Sequence, residues 1–368
     1  MRRWVDIVAR LDWSLLLAAM ALSAIGLLAI YGIGVSQGTP GFFQFKKQLI
    51  ALAIGILLAI GLAFIDYRQI RSLALPLYAI GLAVLGTVLV FGTTSRNAGR
   101  WFVLGALSFQ PVEIAKVLFA VFLAAYLSRF VHKRLGWAPF LGSMLALAWY
   151  VGLVLMQPDF GSAMVFIALW AAMAVFCGLP RHAWWILIVS LAATSMLLWN
   201  FGLKPYQRDR ITSFINPASD PYGASYNVAQ ARIAIGSGGW LGKGIGEGSQ
   251  ARLRFLPEAS TDFMFAVLGE ELGFVGLAVV LLLFGLLLYR YIRIAMEASD
   301  AFAGILLVGF SAVIVFHLTI NAGMNLGLLP VTGIPLPFAS AAASSLISMF
   351  VTVGIAESIA VRSKGMFR

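Results

Sequence analysis

The sequence predicts an all-α, polytopic integral membrane protein. We expect ten transmembrane helices in a single domain spanning 1–368, with one large extracytoplasmic loop, 204–262, between the seventh and eighth. Three observations predict this. First, 61% of the 368 residues are hydrophobic and 11% charged, against about 45–50% and about 25% in soluble domains. Second, Leu, Ile, Val, Ala and Phe recur in charge-free runs of roughly 20 residues, long enough to cross a ~30 Å hydrocarbon core as helices. Third, Lys and Arg gather on alternate loops, the pattern that membrane insertion imposes. The net charge of +11 therefore reports topology and no nucleic-acid partner. Cys177 is the sole cysteine, which excludes an intrachain disulfide and a cysteine metal cluster.

Each span has a local reason. The first, about Trp13–Ile33, follows Arg2 and Arg3 but is too long for a signal h-region and lacks a small-residue cleavage site, so it is retained. Spans at about Leu49–Ile65 and Leu73–Phe91 precede a loop with Arg96, Asn97, Gly99, Arg100 and Trp101. The fourth starts near Pro111, whose missing N–H has no helical partner in a first turn, and stops before Arg129, His132, Lys133 and Arg134. Gln157-Pro158-Asp159-Phe160 separates the fifth (about Ala138–Met156) from the sixth (about Gly161–Phe176). A seventh covers about Ala183–Phe201. After the polar segment come the eighth (about Phe263–Leu288), the ninth (about Ala301–Ile320) and the tenth (about Ala343–Val361).

An even count puts both termini on one side. That side carries Arg2, Arg3, Arg10, Arg68, Arg71, Arg129, Lys133, Arg134, Arg181, Arg290, Arg293, Arg362, Lys364 and Arg368; the short loops opposite carry Lys46, Lys47, Arg96 and Arg100. Cations are retained in the cytoplasm, so both termini are expected there and 204–262 outside.

Ionisable groups within spans cost roughly 2.5–3.5 kcal/mol on insertion scales and so face an interior or an aqueous cavity. Glu113 and Lys116 share a helix face and can pair, either as a structural ion pair or as part of a site. Glu270 and Glu271 are adjacent and project to different sides of a helix, so one of them is expected to brace a neighbouring element. His317 lacks a partner at metal-ligand spacing and reads as a hydrogen-bonded packing residue. Asn321 and Asn325, at i and i+4, suit interhelical bonding as well as substrate contact. Helix N-capping accounts for Asp159 after Pro158, and the same explanation is available for Asp262. Asp262, however, ends a loop carrying Arg208, Arg210, Arg232, Lys243, Arg252 and Arg254, with glycines at 236, 238, 239, 242, 244, 246 and 248. Glycine-rich backbone beside fixed cations is one way proteins approach phosphates closely.

Several motifs then appear in order along nearly the whole chain. They are Gly99-Arg100-Trp101; Phe109-Gln110-Pro111-Val112-Glu113-Ile114-Ala115-Lys116; Gln157-Pro158-Asp159-Phe160-Gly161; Asn216-Pro217-Ala218-Ser219-Asp220-Pro221; Gln230 to Gly239 with Gly242-Lys243-Gly244; Phe255-Leu256-Pro257-Glu258 with Thr261-Asp262-Phe263; and Gly327 to Phe338. By these motifs the chain resembles the SEDS family (shape, elongation, division and sporulation), the RodA/FtsW glycan polymerases of bacterial cell-wall synthesis. Its short N-terminal tail is most similar to the RodA, elongation-type branch.

The resemblance implies an inverting peptidoglycan glycosyltransferase at the outer face of the bacterial cytoplasmic membrane. It would polymerise lipid II and release undecaprenyl pyrophosphate, with a class B penicillin-binding protein as transpeptidase partner. It carries the essential acid onto Asp262, which suits a general base, and substrate contact onto Gln110, Glu113, Gln157, Asp159, Gln230, Glu258, Ser340 and Ser344. Charge on the leaving pyrophosphate calls for cations, for which Arg100, Lys116, Arg208, Arg210 and Lys243 are the candidates. The family also implies a divalent cation, Mg or Mn, although no octahedral carboxylate cage is legible. Two other readings fit the same residues: a lipid II flippase or transporter, and a non-catalytic scaffold of the transpeptidase. Two departures from the family pattern stand out. Ser340-Ala341-Ala342-Ala343-Ser344 replaces the usual Ser-Tyr-Gly-Gly-Ser, and Ser260 stands where a histidine often precedes Thr-Asp.

Overall fold

The computed structural model describes residues 9–37, 39–94, 100–104, 107–131, 135–180, 183, 185, 205–216 and 223–363. Helices α1 (Trp13–Gln37), α2 (Thr39–Phe64), α3 (Tyr67–Ser72) and α4 (Ala74–Phe91) come first. A small antiparallel sheet follows, β1 (Thr93–Thr94), β2 (Arg100–Leu104) and β3 (Leu107–Phe109), with Thr94 opposite Arg100 and Phe102 opposite Phe109. Then come α5 (Pro111–Leu127), α6 (Trp137–Met156) and α7 (Phe160–Phe176). The polar segment holds α8 (Pro205–Ile215), α9 (Ala224–Ser237) and α10 (Ser249–Arg252), and the chain closes with α11 (Met264–Met296), α12 (Ala301–Asn325) and α13 (Ala343–Ser363). Among the described residues seven helices are long and apolar enough to cross a membrane, and α7 is a shorter apolar helix. The chain is thus a polytopic helical membrane protein. The expected seventh span lies outside the described residues save Ala183 and Trp185.

Small residues let α13 sit at the centre, buried almost throughout. With no hydrophobic drive between helices in lipid, close backbone approach through Gly and Ala supplies the packing. A Cβ added at Gly354 would stand 2.7 Å from the Ala59 backbone of α2, and one at Gly26 of α1 would stand 2.3 Å from the Ala339 carbonyl. Lipid-facing positions of α2 and α11, such as Leu57 and Leu282, stay exposed.

The basic ends of the helices are fastened by polar groups. Asp12 pairs with Arg290, its backbone N–H donates to Glu357 at 2.7 Å, and Arg362 donates to the Ala63 and Phe64 carbonyls that end α2. Residues 344 and 357 lie 13 apart on α13, which at 1.5 Å per residue puts this cluster roughly 20 Å along the helix from Ser344.

Candidate functional site

Asp262 ends a tight turn that Glu258 organises. Glu258 has left-handed backbone, φ 57°, and its carbonyl accepts from the N–H groups of Thr261, Asp262 and Phe263 at 3.1–3.3 Å, while its carboxylate accepts from Thr261 Oγ1 at 3.1 Å. Asp262 lies one residue before Phe263, the N-cap of α11, and that N-cap makes no side-chain capping hydrogen bond. The main chain of Asp262 is held by α12. Its carbonyl accepts from Asn321 Nδ2 at 2.9 Å and Asn325 Nδ2 at 3.1 Å, so the two asparagines of α12 fix the base of the side chain. The half-buried carboxylate lies over Gly333, where an added Cβ would stand 3.5 Å from Oδ2.

The segment 330–340 is the shared wall of this site. Gly161 packs under it, an added Cβ there standing 3.1 Å from the Thr332 carbonyl. Asn321 Nδ2 also donates to the Ile334 carbonyl at 2.8 Å. Ser340 closes the segment: Oγ donates to the Thr261 carbonyl at 2.6 Å and accepts from Leu336 N–H, and Gln48 donates to its carbonyl at 2.8 Å. Ser344 Oγ accepts from the Gln110 N–H at 2.9 Å, and Gln110 Nε2 reaches Asp159 at 3.4 Å. Asp159 does cap α7, accepting from the N–H and Oγ of Ser162 at 2.9 and 2.7 Å. Burial pushes its carboxyl above the usual range.

Deeper in the bundle the Glu113–Lys116 pair forms at 2.8 Å, both side chains buried. Lys116 Nζ also lies 3.2 Å from His317 Nε2, and His317 Nδ1 lies 3.2 Å from the Pro335 carbonyl. His317 is therefore a hydrogen-bonded packing residue that ties the ion pair to the wall of the Asp262 site.

Of the expected cations, Arg210 on α8 donates to the Val331 carbonyl at 3.4 Å, on the same wall. Gln207 Nε2, one turn earlier, donates to the Pro158 carbonyl at 3.2 Å. Arg208 and Gln230 lie half-buried on α8 and α9. Arg100 is placed by backbone in β2. Gln157 turns away, donating to the Leu85 carbonyl of α4 at 3.1 Å.

Lys243 is engaged elsewhere. It pairs with Glu270 at 2.8 Å, and Glu270 also accepts from Ser249 Oγ and the Gln250 N–H. Glu271 accepts from the Gly246 N–H at 2.9 Å. Bracing of a neighbour, expected of one of the two adjacent carboxylates, is done by both, and on the same loop, because residues 239–250 wrap over a break in α11. Gly273, at φ 67° and ψ −166°, interrupts that helix, exposing carbonyls that the loop completes. Lys243 and Gly244 donate to the Glu270 and Glu271 carbonyls, and Phe274 and Val275 donate to Gly239 and Trp240.

Among the described residues no three of His, Cys, Asp and Glu gather to hold a metal. Mg²⁺ is commonly held by one or two carboxylates plus substrate phosphates, and a half-buried Asp262 fits the part of one such carboxylate. Asp159 is committed to Ser162 and Glu258 to its turn.

The site is thus a polytopic helical bundle that presents one carboxylate over Gly333, with a buried ion pair tied to the same wall through His317 and Arg210 bonded to it. The FtsW/RodA/SpoVE family model, described as cell cycle protein, matches residues 12–365, and the chain belongs to that family. The peptidoglycan glycosyltransferase MrdB of Escherichia coli K12 is 37% identical over 359 residues, covering 96% of this chain and 94% of that one. A probable peptidoglycan glycosyltransferase FtsW of Thioalkalivibrio sulfidiphilus is 37% identical over 363 residues, covering 95% and 90%. The chain is similar to a solved chain from a peptidoglycan synthase complex that coordinates polymerization and crosslinking, with TM-score 0.79, 32% identity and coverage of 96% and 98%. It is also similar to the rod shape determining protein RodA of Thermus thermophilus, with TM-score 0.71, 30% identity and coverage of 97% and 98%. The expected SEDS resemblance is borne out.

Proposed function

We propose that this chain polymerises lipid II into glycan strands at the outer face of the cytoplasmic membrane, in cell-wall elongation, beside a class B transpeptidase. The observation that supports it is Asp262: a carboxylate fixed through its main chain by Asn321 and Asn325 and presented over Gly333. A sugar hydroxyl placed there loses its proton to Asp262 as it attacks the anomeric carbon of the donor. The C–O bond to the diphosphate breaks in the same displacement, so configuration inverts and no enzyme nucleophile is needed. General-base help of this kind is worth about 10²–10⁴-fold. Asp262 is also the described carboxylate that would hold a divalent cation with the substrate's diphosphate, and such an ion would supply charge neutralisation at the leaving group. Arg210 stands by the same wall to receive that charge.

Ten spans, with 204–262 outside and both termini inside, follow from the same reading. Arg68, Arg71, Arg290, Arg293 and Arg362 cluster at the helix ends remote from Asp262, as cytoplasmic retention of cations requires. A reporter fused after Arg368 should be active only as a cytoplasmic reporter; periplasmic activity would overturn the count.

The main test is purified protein with lipid II, divalent cation and the transpeptidase. Polymer from the native chain, none from Asp262→Asn and none in chelator supports the proposal. Polymer from Asp262→Asn at the native rate removes Asp262 from its role. Movement of lipid II across proteoliposomes without polymer favours the transport reading.

A further inference from the structure

The wall beneath Asp262 has little means of holding itself. No helix or strand covers residues 330–336, and Pro330, Pro335 and Pro337 carry no N–H. Its inward carbonyls therefore need donors from other elements. Two come from α12, a helical turn apart: Asn321 Nδ2 reaches the Ile334 carbonyl at 2.8 Å, and His317 Nδ1 the Pro335 carbonyl at 3.2 Å. Asn321 also holds the Asp262 carbonyl. His317, 1% exposed, differs from it because its far side meets a charge. Lys116 Nζ lies 3.2 Å from Nε2.

These two contacts fix where the ring carries its proton. A carbonyl has no proton to give, so Nδ1 must bring one. An ammonium has donors only, so Nε2 must offer its lone pair. A neutral imidazole has one donor and one acceptor, and the Nδ1–H tautomer satisfies both neighbours. An imidazolium would aim an N–H at the ammonium. Glu113 Oε1, 2.8 Å away in a buried pair, is the counter-ion of that ammonium. The donors thus point one way, from Lys116 to His317 and from His317 to Pro335. Two of the three lysine N–H groups are committed inside the bundle.

We propose that His317 is a positioning residue for the Asp262 carboxylate. Held as the neutral Nδ1–H tautomer by the Lys116 ammonium, it fixes Pro335, two residues after the Gly333 that underlies the carboxylate. Lys116 then serves the reaction through His317 and not by touching the diphosphate. The role in the reaction rests on the glycosyltransferase reading above; the tautomer does not.

The chain has three histidines, His132, His182 and His317, so nitrogen-15 labelling of histidine gives a spectrum of few imidazoles. In nanodiscs one ring, absent from His317→Gln, should show a protonated Nδ1 and a bare Nε2. Breaking a buried pair on one side leaves an uncompensated charge, so Glu113 and Lys116 are replaced together. Glu113→Gln with Lys116→Met should move the Nε2 resonance and leave Nδ1–H in place. A ring protonated on both nitrogens, or on Nε2 alone, overturns the assignment.

Amide side chains then separate the two bonds. Asn places its amide near Nδ1 and keeps a donor for Pro335; Gln places its amide near Nε2 and keeps an acceptor for Lys116. In polymerisation His317→Gln should lower kcat roughly three- to tenfold, the kinetic equivalent of one lost hydrogen bond, with KM for lipid II within about twofold. His317→Asn should keep more of the native kcat than His317→Gln, at an equal or lower melting temperature. If kcat instead follows melting temperature across the Asn, Gln and Leu variants, His317 only packs and the positioning role falls. A native chain that forms no polymer under any condition overturns the polymerase reading, while the spectrum still decides the tautomer.

Discussion

Between Gly236 and Arg254 the chain is as rich in glycine and cations as a phosphate loop, while around α8 and α9 the arginines are spaced out among ordinary helical residues. The fold uses the richer region as a fastening and leaves the plainer one open. In the first, glycines permit main chain to lie on main chain: an added Cβ would stand 2.0 Å from the Gly269 carbonyl at Gly238 and 2.1 Å from the Glu271 carbonyl at Gly242. Lys243, the cation closest to those glycines, is consumed by buried Glu270. In the second, Arg210 and Arg232 line a cavity of about 130 Å³ whose described lining includes no acidic side chain. Glycine beside cations thus signals close approach, and only the partner of each cation tells whether the approach is to a ligand or to the protein itself.

Variants can break this contrast. The largest effect belongs to Asp262→Asn, which should lose about 10²–10⁴-fold in polymerisation rate with an unchanged melting temperature; a matching loss of stability would make Asp262 a fastening too. Gly242→Ala, with left-handed φ +80° and no room for a Cβ, should destabilise by roughly 2–4 kcal/mol through strain and overpacking, read as detergent melting. Unchanged melting there would mean the loop is not seated on α11. Lys243→Ala leaves Glu270 short of a charged donor and should cost about 1–3 kcal/mol of stability with KM for lipid II unmoved. A raised KM without destabilisation would return Lys243 to the site.

The smallest effect sits at the border of the two regions. Ser260 and Ala341, the two departures from the family pattern, meet: the Ala341 N–H donates to the Ser260 carbonyl at 2.7 Å, and Ser260 Oγ donates to Gln44 at 2.6 Å. Ser260→His and Ala341→Tyr should therefore couple, by about 0.5–3 kcal/mol in a double-mutant cycle on kcat/KM. Restoring Tyr-Gly-Gly at 341–343 should raise polymerisation or lipid II affinity. Strict additivity would separate these positions.

Nine of the ten expected spans have a described helix over them, because length and apolarity are local properties. What local pattern missed has a physical cause in each case. Residues 93–109 read as a loop, yet three short strands form there; such pairing depends on partners across the turn more than on composition. Helix α11 runs on to Met296, past the expected end near Leu288, because Arg290 and Arg293 mark where lipid stops without stopping a helix. The break at Gly273 gave no sign, since a glycine within an apolar run also packs helices. At the site, the Asp159 cap was legible from its place after Pro158 just before a helix, and the Glu113–Lys116 pair from a spacing of three residues. The Lys243–Glu270 bond, 27 residues apart, and the Asn321 and Asn325 hold on Asp262, 59 and 63 apart, were not, because nothing in either stretch names the other. Arg232 stood among the loop cations with no sign that it would line the same cavity as Arg210.

His317, Asn321 and Asn325 recur every fourth residue on α12 and so form one stripe, touching Lys116 at one end and Asp262 at the other. At 1.5 Å per residue the rungs are roughly 6 Å apart, so the pitch of a single helix works as a ruler between the buried Lys116 ammonium and the main chain that carries Asp262. A sideways slip of that helix would also carry Asp262 and Lys116 out of register together.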